Sequence, residues 1–409
     1  MKRHFLSLAI LISVIGAASF QILLLVVASW SGIAVTGEVS LFQSIAVLIC
    51  AVGLSDLKSL SIRILVEERS LSHLCKLRNT VLVIIGLIAI VLSAVTSHGA
   101  VLADLIVIRA ASQAADLNIS VWQKSFKPGP IVWFSLARYG LVGATLAIST
   151  FLSSSLLTGL TVAALFATVV FVTEQLIISS FVGSSQLTWN LSSIVDLRGD
   201  NLLGAYIALS LSAGLNFLPQ TIIRYFISLF GSMHVLGSFS IQYQMSMLSI
   251  PFITALSQQA LARRSITWRS IVGDLRLISL TSVLLLFFVT LLFVTPASYF
   301  VSLLFTTWHP LPTYSTLLIT LSSIFLCLTV YLGFMSVALK NPFAQSIANI
   351  TFLLILIILG YLMGLRFGVI GLLTALAIST SFRAFILFYI VRNSALKPDG
   401  ALSNQGYKD

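Results

Sequence analysis

The chain alternates between long apolar segments and short polar connections over nearly its whole length. The apolar segments are about 20 residues long, which is the length that an α-helix needs to cross a hydrocarbon core of roughly 30 Å. They lack the apolar and polar alternation of membrane β-barrel strands, so helices are the structure that satisfies their backbone hydrogen bonds in lipid. The pattern predicts about twelve transmembrane helices, at 5–30, 37–56, 79–97, 100–123, 131–151, 157–185, 202–230, 236–262, 276–299, 312–338, 345–365 and 368–392.

Composition leads to the same fold class, an all-α polytopic membrane protein. Of the 409 residues, 58% are hydrophobic and only 9% are charged, whereas soluble domains contain about 25% charged residues. The net charge of +11 does not indicate nucleic-acid binding, because membrane proteins carry excess Lys and Arg on their cytoplasmic side. The three cysteines form no CxxC pair, so we predict no metal site.

The distribution of positive charge tests the predicted number of spans. Lys and Arg residues outside the spans fall in alternate loops, as at Lys58, Arg198, Arg263 and Lys340, and the opposite loops contain only Arg366. Because positive residues mark cytoplasmic loops, this segregation places both termini in the cytoplasm.

A weak internal repeat divides the predicted helices into two sets of six. The long basic loops 57–78 and 263–275 lie half a chain apart, and at the same offset 37–40 and 237–240 share a glycine and a serine. Parallel repeats of this kind are typical of transporters. We therefore predict an N-lobe at 1–185, a cytoplasmic linker at 186–201, a C-lobe at 202–395 and a cytoplasmic tail at 396–409.

Seven ionisable side chains fall inside the predicted spans. Each costs about 2.5 to 3.5 kcal/mol at a helix centre on insertion scales, so we expect them to face a cavity, water or one another. They include four arginines and three carboxylates, and a guanidinium group matches phosphate oxygens better than it matches a cationic drug. The seven are Asp104, Arg109, Asp116, Arg138, Glu174, Arg224 and Arg383.

The span at 100–123 carries a polar stripe. Arg109, Gln113 and Asp116 recur at three- and four-residue spacing and so share one face of the helix. We expect this face to line a substrate-binding cavity. A structural contact between Arg109 and Asp116 that only orients the helix is the alternative.

The span at 202–230 carries a second polar stripe, formed by Asn216, Gln220 and Arg224. Pro219 interrupts this span, and broken helices are common in transporters. We expect this stripe and Arg383 to contribute to the same cavity. A buried polar seam, with Pro219 as a simple kink, is the alternative.

The remaining interior charges have two interpretations each. Arg138 either snorkels to the headgroups or faces the cavity, and Asp104 faces either the cavity or the interface. Glu174 either pairs with an arginine or carries a coupling proton, a role for which Asp116 and Asp104 are further candidates. We predict no cofactor, with transport driven by a proton or sodium gradient.

The spans at 202–230 and 236–262 give a family resemblance. The spacing of Asn216, Arg224, the segment 236–241 and Pro251 resembles that of the Wzx-type O-antigen and polysaccharide flippases of the multidrug/oligosaccharidyl-lipid/polysaccharide (MOP) exporter superfamily. The resemblance implies two six-helix lobes that work by alternating access in a bacterial inner membrane. It also implies that the cargo is an undecaprenyl-diphosphate-linked oligosaccharide for lipopolysaccharide, and that a polysaccharide polymerase and chain-length proteins are partners besides membrane lipid.

Three other functions compete with this interpretation. A cation-coupled multidrug exporter of the same superfamily should prefer acidic cavities. A polytopic enzyme of polysaccharide assembly would need catalytic groups on a sizeable outer loop, and the longest predicted one, 300–311, offers no nucleophile and base, so we predict that the protein is not an enzyme. The third alternative is a flippase of a cell-wall precursor. Such flippases have roughly two more helices than the length and charge pattern of this chain support.

Overall fold

The computed structural model describes residues 2–54, 68–95, 98–124, 127–182, 202–250, 253–254, 257, 268–294, 298–305, 309–339, 341 and 343–396. These residues form helices and contain no β-strand. In chain order the main helices are α1 Lys2–Ser29, α2 Ile33–Leu54, α3 Glu68–Val95, α4 Gly99–Ala114, α5 Asp116–Lys124, α6 Pro128–Ser153, α7 Leu156–Val182, α8 Leu202–Phe230, α9 Met233–Ser246, α10 Trp268–Val294, α11 Ser298–Leu304, α12 Thr313–Ala338 and α13 Phe343–Leu396.

The all-α polytopic class is confirmed. Among the described residues, seven helices are long and apolar enough to cross a membrane. Large apolar side chains on their outer faces are exposed in the isolated chain, among them Ile90, Leu165 and Phe288. Exposed apolar surface of this extent is unfavourable in water and requires lipid or another protein to cover it. Together with the length of the helices, it shows that the chain is a multi-pass membrane protein.

The long helix α13 corresponds to the last two predicted spans. It is broken at Gly368, where the backbone adopts φ 58° and ψ −139°. An L side chain is strained in that region, whereas glycine reaches it freely. The two predicted spans 345–365 and 368–392 are therefore two helices that meet at a corner.

The chain forms two compact units, Met1–Thr221 and Ile222–Asp409. The division falls within α8. The predicted linker 186–201 lies outside the described residues, as does Pro251, so the predicted six-plus-six boundaries stay a prediction.

In the first unit, small residues allow helices to pack closely, and a tight turn joins the first two helices. Gly32 turns the chain between α1 and α2 with φ 113°. In the contact of α6 with α7, a Cβ atom on Gly159 would lie 1.9 Å from Oγ1 of Thr150. Close helix approach at small residues is how bundles in lipid gain packing energy.

The second unit has a separate core. Ser232 caps α9, since its side chain accepts a hydrogen bond from the Val235 amide. Tyr331 and Leu332 of α12 pack with Leu387 of α13 in the buried cluster.

One helix differs from the predicted pattern. The span at 100–123 is two helices, because the chain turns at Ala115, whose carbonyl accepts from the amide of Asn118 in an i to i+3 bond of 3.0 Å. The helix α8 runs through Pro219 without a break, so a bend at Pro219 stays a prediction.

Candidate functional site

A partly open cavity lies within the first unit, and its empty space of about 590 Å³ includes the space at its opening. Residues of α1, α2, α4, α6 and α7 form its walls, and both apolar and polar side chains contribute. Phe20 and Phe171 contribute aromatic rings, and Arg109 and Arg138 contribute guanidinium groups. The cavity therefore contains two of the seven predicted interior charges.

Arg109 is the cation of the α4 wall. Gln113, one turn further along α4, is buried, and in the amide orientation that satisfies both ends it accepts from Nε of Arg109 at 3.3 Å. The same amide donates to the Cys50 carbonyl of α2 at 3.0 Å. Gln113 therefore holds one nitrogen of the Arg109 guanidinium by a hydrogen bond. Among the described residues no carboxylate oxygen lies within 4.0 Å of the Arg109 guanidinium.

Arg138 is neutralised inside the protein. Its Nε donates to Oε2 of Glu174 at 3.0 Å, and its Nη2 also contacts both carboxylate oxygens. The side chains of Arg138 and Glu174 are 4% and 0% exposed. Nη2 also donates to the Ala115 carbonyl at 3.1 Å, and Nη1 lies 3.8 Å from Oδ1 of Asp116. A buried ion pair with these additional contacts is a fixed part of the wall.

A π-helical segment of α6 presents Arg138 and its neighbour to the interior. Residues Leu136–Leu141 form this segment, and single π turns within α-helices are frequent at functional sites. Both Arg138 and Tyr139 line the cavity. The Tyr139 hydroxyl accepts a hydrogen bond from Ser112 of α4 at 3.1 Å. The segment therefore attaches α6 to α4 on one side and to α7 on the other.

These contacts decide between the alternatives that the sequence left open. Arg138 is buried and does not snorkel. Glu174 pairs with an arginine, and its role as a carrier of the coupling proton stays a prediction. The proposed structural contact of Arg109 with Asp116 is wrong, because Asp116 lies against Arg138.

Arg78 contacts a ring of the cavity wall, and the sequence interpretation does not single it out. The sequence pattern predicts that it ends the loop 57–78, but it lies in α3 with a fully buried side chain. It donates to Oδ1 of Asn118 at 3.0 Å and to Oε1 of Gln175 at 2.7 Å, and lies over the Phe171 ring at 5.5 Å. The only signal in the sequence was its position beside the apolar run that begins at 79.

Asp104 lies apart from the cavity lining. Its carboxylate accepts a hydrogen bond from the Thr161 hydroxyl of α7 at 2.7 Å, in an exposed position. The interface interpretation of Asp104 fits this contact better than the cavity interpretation.

The second polar stripe is divided between the two units. Asn216 and Gln220 are half-buried in the part of α8 that belongs to the first unit, and neither lines the cavity. Arg224 and Arg383 are buried in the second unit. The Arg224 guanidinium lies over the Tyr243 ring at 5.6 Å, and that of Arg383 lies over the Phe352 ring at 5.4 Å. The structure thus does not bring the predicted site residues into one cavity within either unit.

The fold is that of known transporters and of a flippase. An inward-facing multidrug resistance MATE family transporter of the MOP superfamily has a TM-score of 0.62 at 12% identity, with 94% of each chain covered. A MATE protein in complex with MaD3S has a TM-score of 0.68 at 14% identity, with 96% of this chain and 95% of that chain covered.

The lipid II flippase MurJ, in its inward closed conformation, has a TM-score of 0.67 at 15% identity, with 94% of this chain and 90% of that chain covered. No family model and no curated sequence matches this chain. Identities this low establish the fold alone. The chain therefore has the fold of the MOP exporter superfamily, shared by MATE transporters and the lipid II flippase.

Proposed function

We propose that this protein moves a lipid-linked oligosaccharide, carried on an undecaprenyl diphosphate, from the cytoplasmic to the outer leaflet of a bacterial inner membrane. The two units would expose the cargo to the two sides by alternating access, as in transporters built from repeats. The shared fold with a lipid II flippase supports a lipid-linked cargo.

The observation that carries the proposal is the charge of the cavity in the first unit. Arg138 is balanced by Glu174 and Asp116, whereas Arg109 lines the same cavity with no carboxylate within 4.0 Å among the described residues. An uncompensated guanidinium in a low-dielectric cavity attracts an anion, and phosphate oxygens match its planar donors. A cationic drug would be repelled.

Energy coupling and protein partners belong to this proposal as well. A proton or sodium gradient acting through Asp116, Glu174 or Asp104 would reset the empty carrier. A polysaccharide polymerase and chain-length proteins would receive the exported unit.

The test is a leaflet-exchange assay with the purified chain in proteoliposomes. The probe is a polyprenyl diphosphate oligosaccharide with a fluorophore on the sugar, and an impermeant quencher reports which leaflet it occupies. Losing a charge-assisted hydrogen bond costs about 1.5 to 3 kcal/mol, so Arg109→Ala should slow exchange by at least about tenfold. Arg109→Lys, which keeps the charge but loses the fork, should retain part of the rate.

The matched control is Arg276→Ala, because Arg276 is an exposed arginine on α10. Its exchange rate should equal that of the unaltered protein. If Arg109→Ala and Arg276→Ala exchange the probe equally fast, the cavity assignment is wrong. If the unaltered protein leaves the probe in place but accumulates a cationic dye, the protein is a multidrug exporter.

A further inference from the structure

The walls of the cavity in the first unit are mainly apolar. Ten of its sixteen lining residues are apolar, including Phe20, Leu24, Ile108 and Phe171. Oligosaccharides present hydroxyl groups in every direction, and burying a hydroxyl without a hydrogen bond is unfavourable. The composition of these walls therefore disfavours a sugar as the occupant.

Most of the polar lining groups are already engaged with the protein. Ser112 donates to the hydroxyl of Tyr139, and Arg138 is held by Glu174. Arg109 is the charged exception, because among the described residues only its Nε is engaged, by Gln113. The amide of Gln43 is a second, neutral exception in the same part of the chain. In the described part of the chain, the cavity thus combines one available cation with apolar walls.

The size of the cavity further limits what it holds. Its empty space of about 590 Å³ includes the space at its opening, so the walls themselves enclose less than that. A complete lipid-linked oligosaccharide is far larger. The cavity therefore accommodates one part of such a molecule, and that part is both anionic and apolar.

We propose that this cavity binds the junction of the carrier lipid, namely a phosphate group together with the first isoprenyl carbons attached to it. Arg109 binds the phosphate, and the apolar walls cover the carbon chain next to it. The inference rests on the proposed function and deepens it. Recognition in the first unit then depends on the lipid and its phosphate, and the glycan is bound elsewhere.

The test measures binding to the full-length chain in detergent by calorimetry, with geranyl diphosphate, inorganic pyrophosphate and geraniol as probes. Burying one methylene group contributes about 0.8 kcal/mol, which is close to fourfold in affinity. Geranyl diphosphate should therefore bind at least about 100-fold more tightly than pyrophosphate. Arg109→Ala, measured in the same detergent, should remove this binding, which separates it from partition into micelles.

A second variant tests the apolar part. Ala167 lines the cavity, so Ala167→Phe should fill space there and weaken geranyl diphosphate at least about tenfold, while pyrophosphate binds within about threefold of its original affinity. Ala144, which is exposed on α6, provides the control variant Ala144→Phe, with unchanged binding of both probes.

Two results would overturn the inference. One is equal affinity of the unaltered protein for geranyl diphosphate and pyrophosphate, which requires no variant. The other is full geranyl diphosphate binding by both Arg109→Ala and Ala167→Phe. Either result, alongside leaflet exchange that depends on Arg109, would remove this inference and leave the proposed function standing. The absence of leaflet exchange, with tight geranyl diphosphate binding, would remove the proposed function instead.

Discussion

The buried pair of Arg138 and Glu174 offers a quantitative test of the structure. Glu174→Gln keeps the shape of the side chain and removes its charge, which leaves the Arg138 guanidinium in a site where its side chain is 4% exposed. Removing one partner of a buried ion pair costs about 3 to 5 kcal/mol. Asp116 remains 3.8 Å from Nη1 of Arg138 and is 32% exposed, so it should recover up to about 1 kcal/mol. We expect Glu174→Gln to lower the free energy of unfolding by about 2 to 4 kcal/mol.

The double variant Arg138→Met with Glu174→Met separates the charge from the packing. Replacing a buried pair by apolar side chains of similar volume is often neutral or stabilising. The Ala115 carbonyl loses one hydrogen bond, worth about 1 kcal/mol. The double variant should therefore unfold with a free energy within about 1.5 kcal/mol of the unaltered protein, which makes it more stable than Glu174→Gln.

The assay is a denaturant titration of the purified chain in mixed micelles, followed by the fluorescence of its six tryptophans. Each variant is compared at its transition midpoint, with the slope checked for constancy. The reasoning is refuted if Glu174→Gln unfolds at the same midpoint as the unaltered chain. It is also refuted if the double variant is less stable than the single one.

The same titration tests two further features. Arg78→Met should lower the free energy of unfolding by about 2 to 4 kcal/mol, because the amide oxygens that Arg78 contacts lose this donor. The control is Arg392→Met, at an exposed position. Equal midpoints of the two variants would show that the buried contacts of Arg78 do not stabilise the fold. Gly371→Ala should cost about 1 to 3 kcal/mol, because its Cβ would lie 2.1 Å from the Met363 carbonyl oxygen. A Cβ atom on Gly273 would meet no atom of the described residues within 4 Å, so Gly273→Ala should stabilise α10 by about 0.5 to 1 kcal/mol. A larger loss at Gly273 than at Gly371 would contradict the packing.

The residues in and around the cavity show which side-chain contacts the sequence alone can predict. The sequence pointed to Arg109 and Gln113 as neighbours on one helical face, and the structure places them in contact. It could not pair Arg138 with Glu174, which lie 36 residues apart, because that pairing depends on how α6 and α7 are rotated about their axes. The burial of Arg78 was missed because a basic residue at the end of an apolar run is typical of a cytoplasmic loop.

The sequence by itself determined the fold class and the approximate positions of the membrane spans. Segment length and the need to satisfy backbone hydrogen bonds in lipid are local requirements, and they act on each segment separately. The tertiary structure decided which apolar faces are buried, as with Ile85 at 4% exposure and Leu87 at 58% in the same helix. Lipid and protein interior are equally apolar, so hydrophobic pattern cannot distinguish the two faces. Only packing could show that the cavity of the first unit is mostly apolar and that, among the described residues, Arg109 lines it without a carboxylate within 4.0 Å.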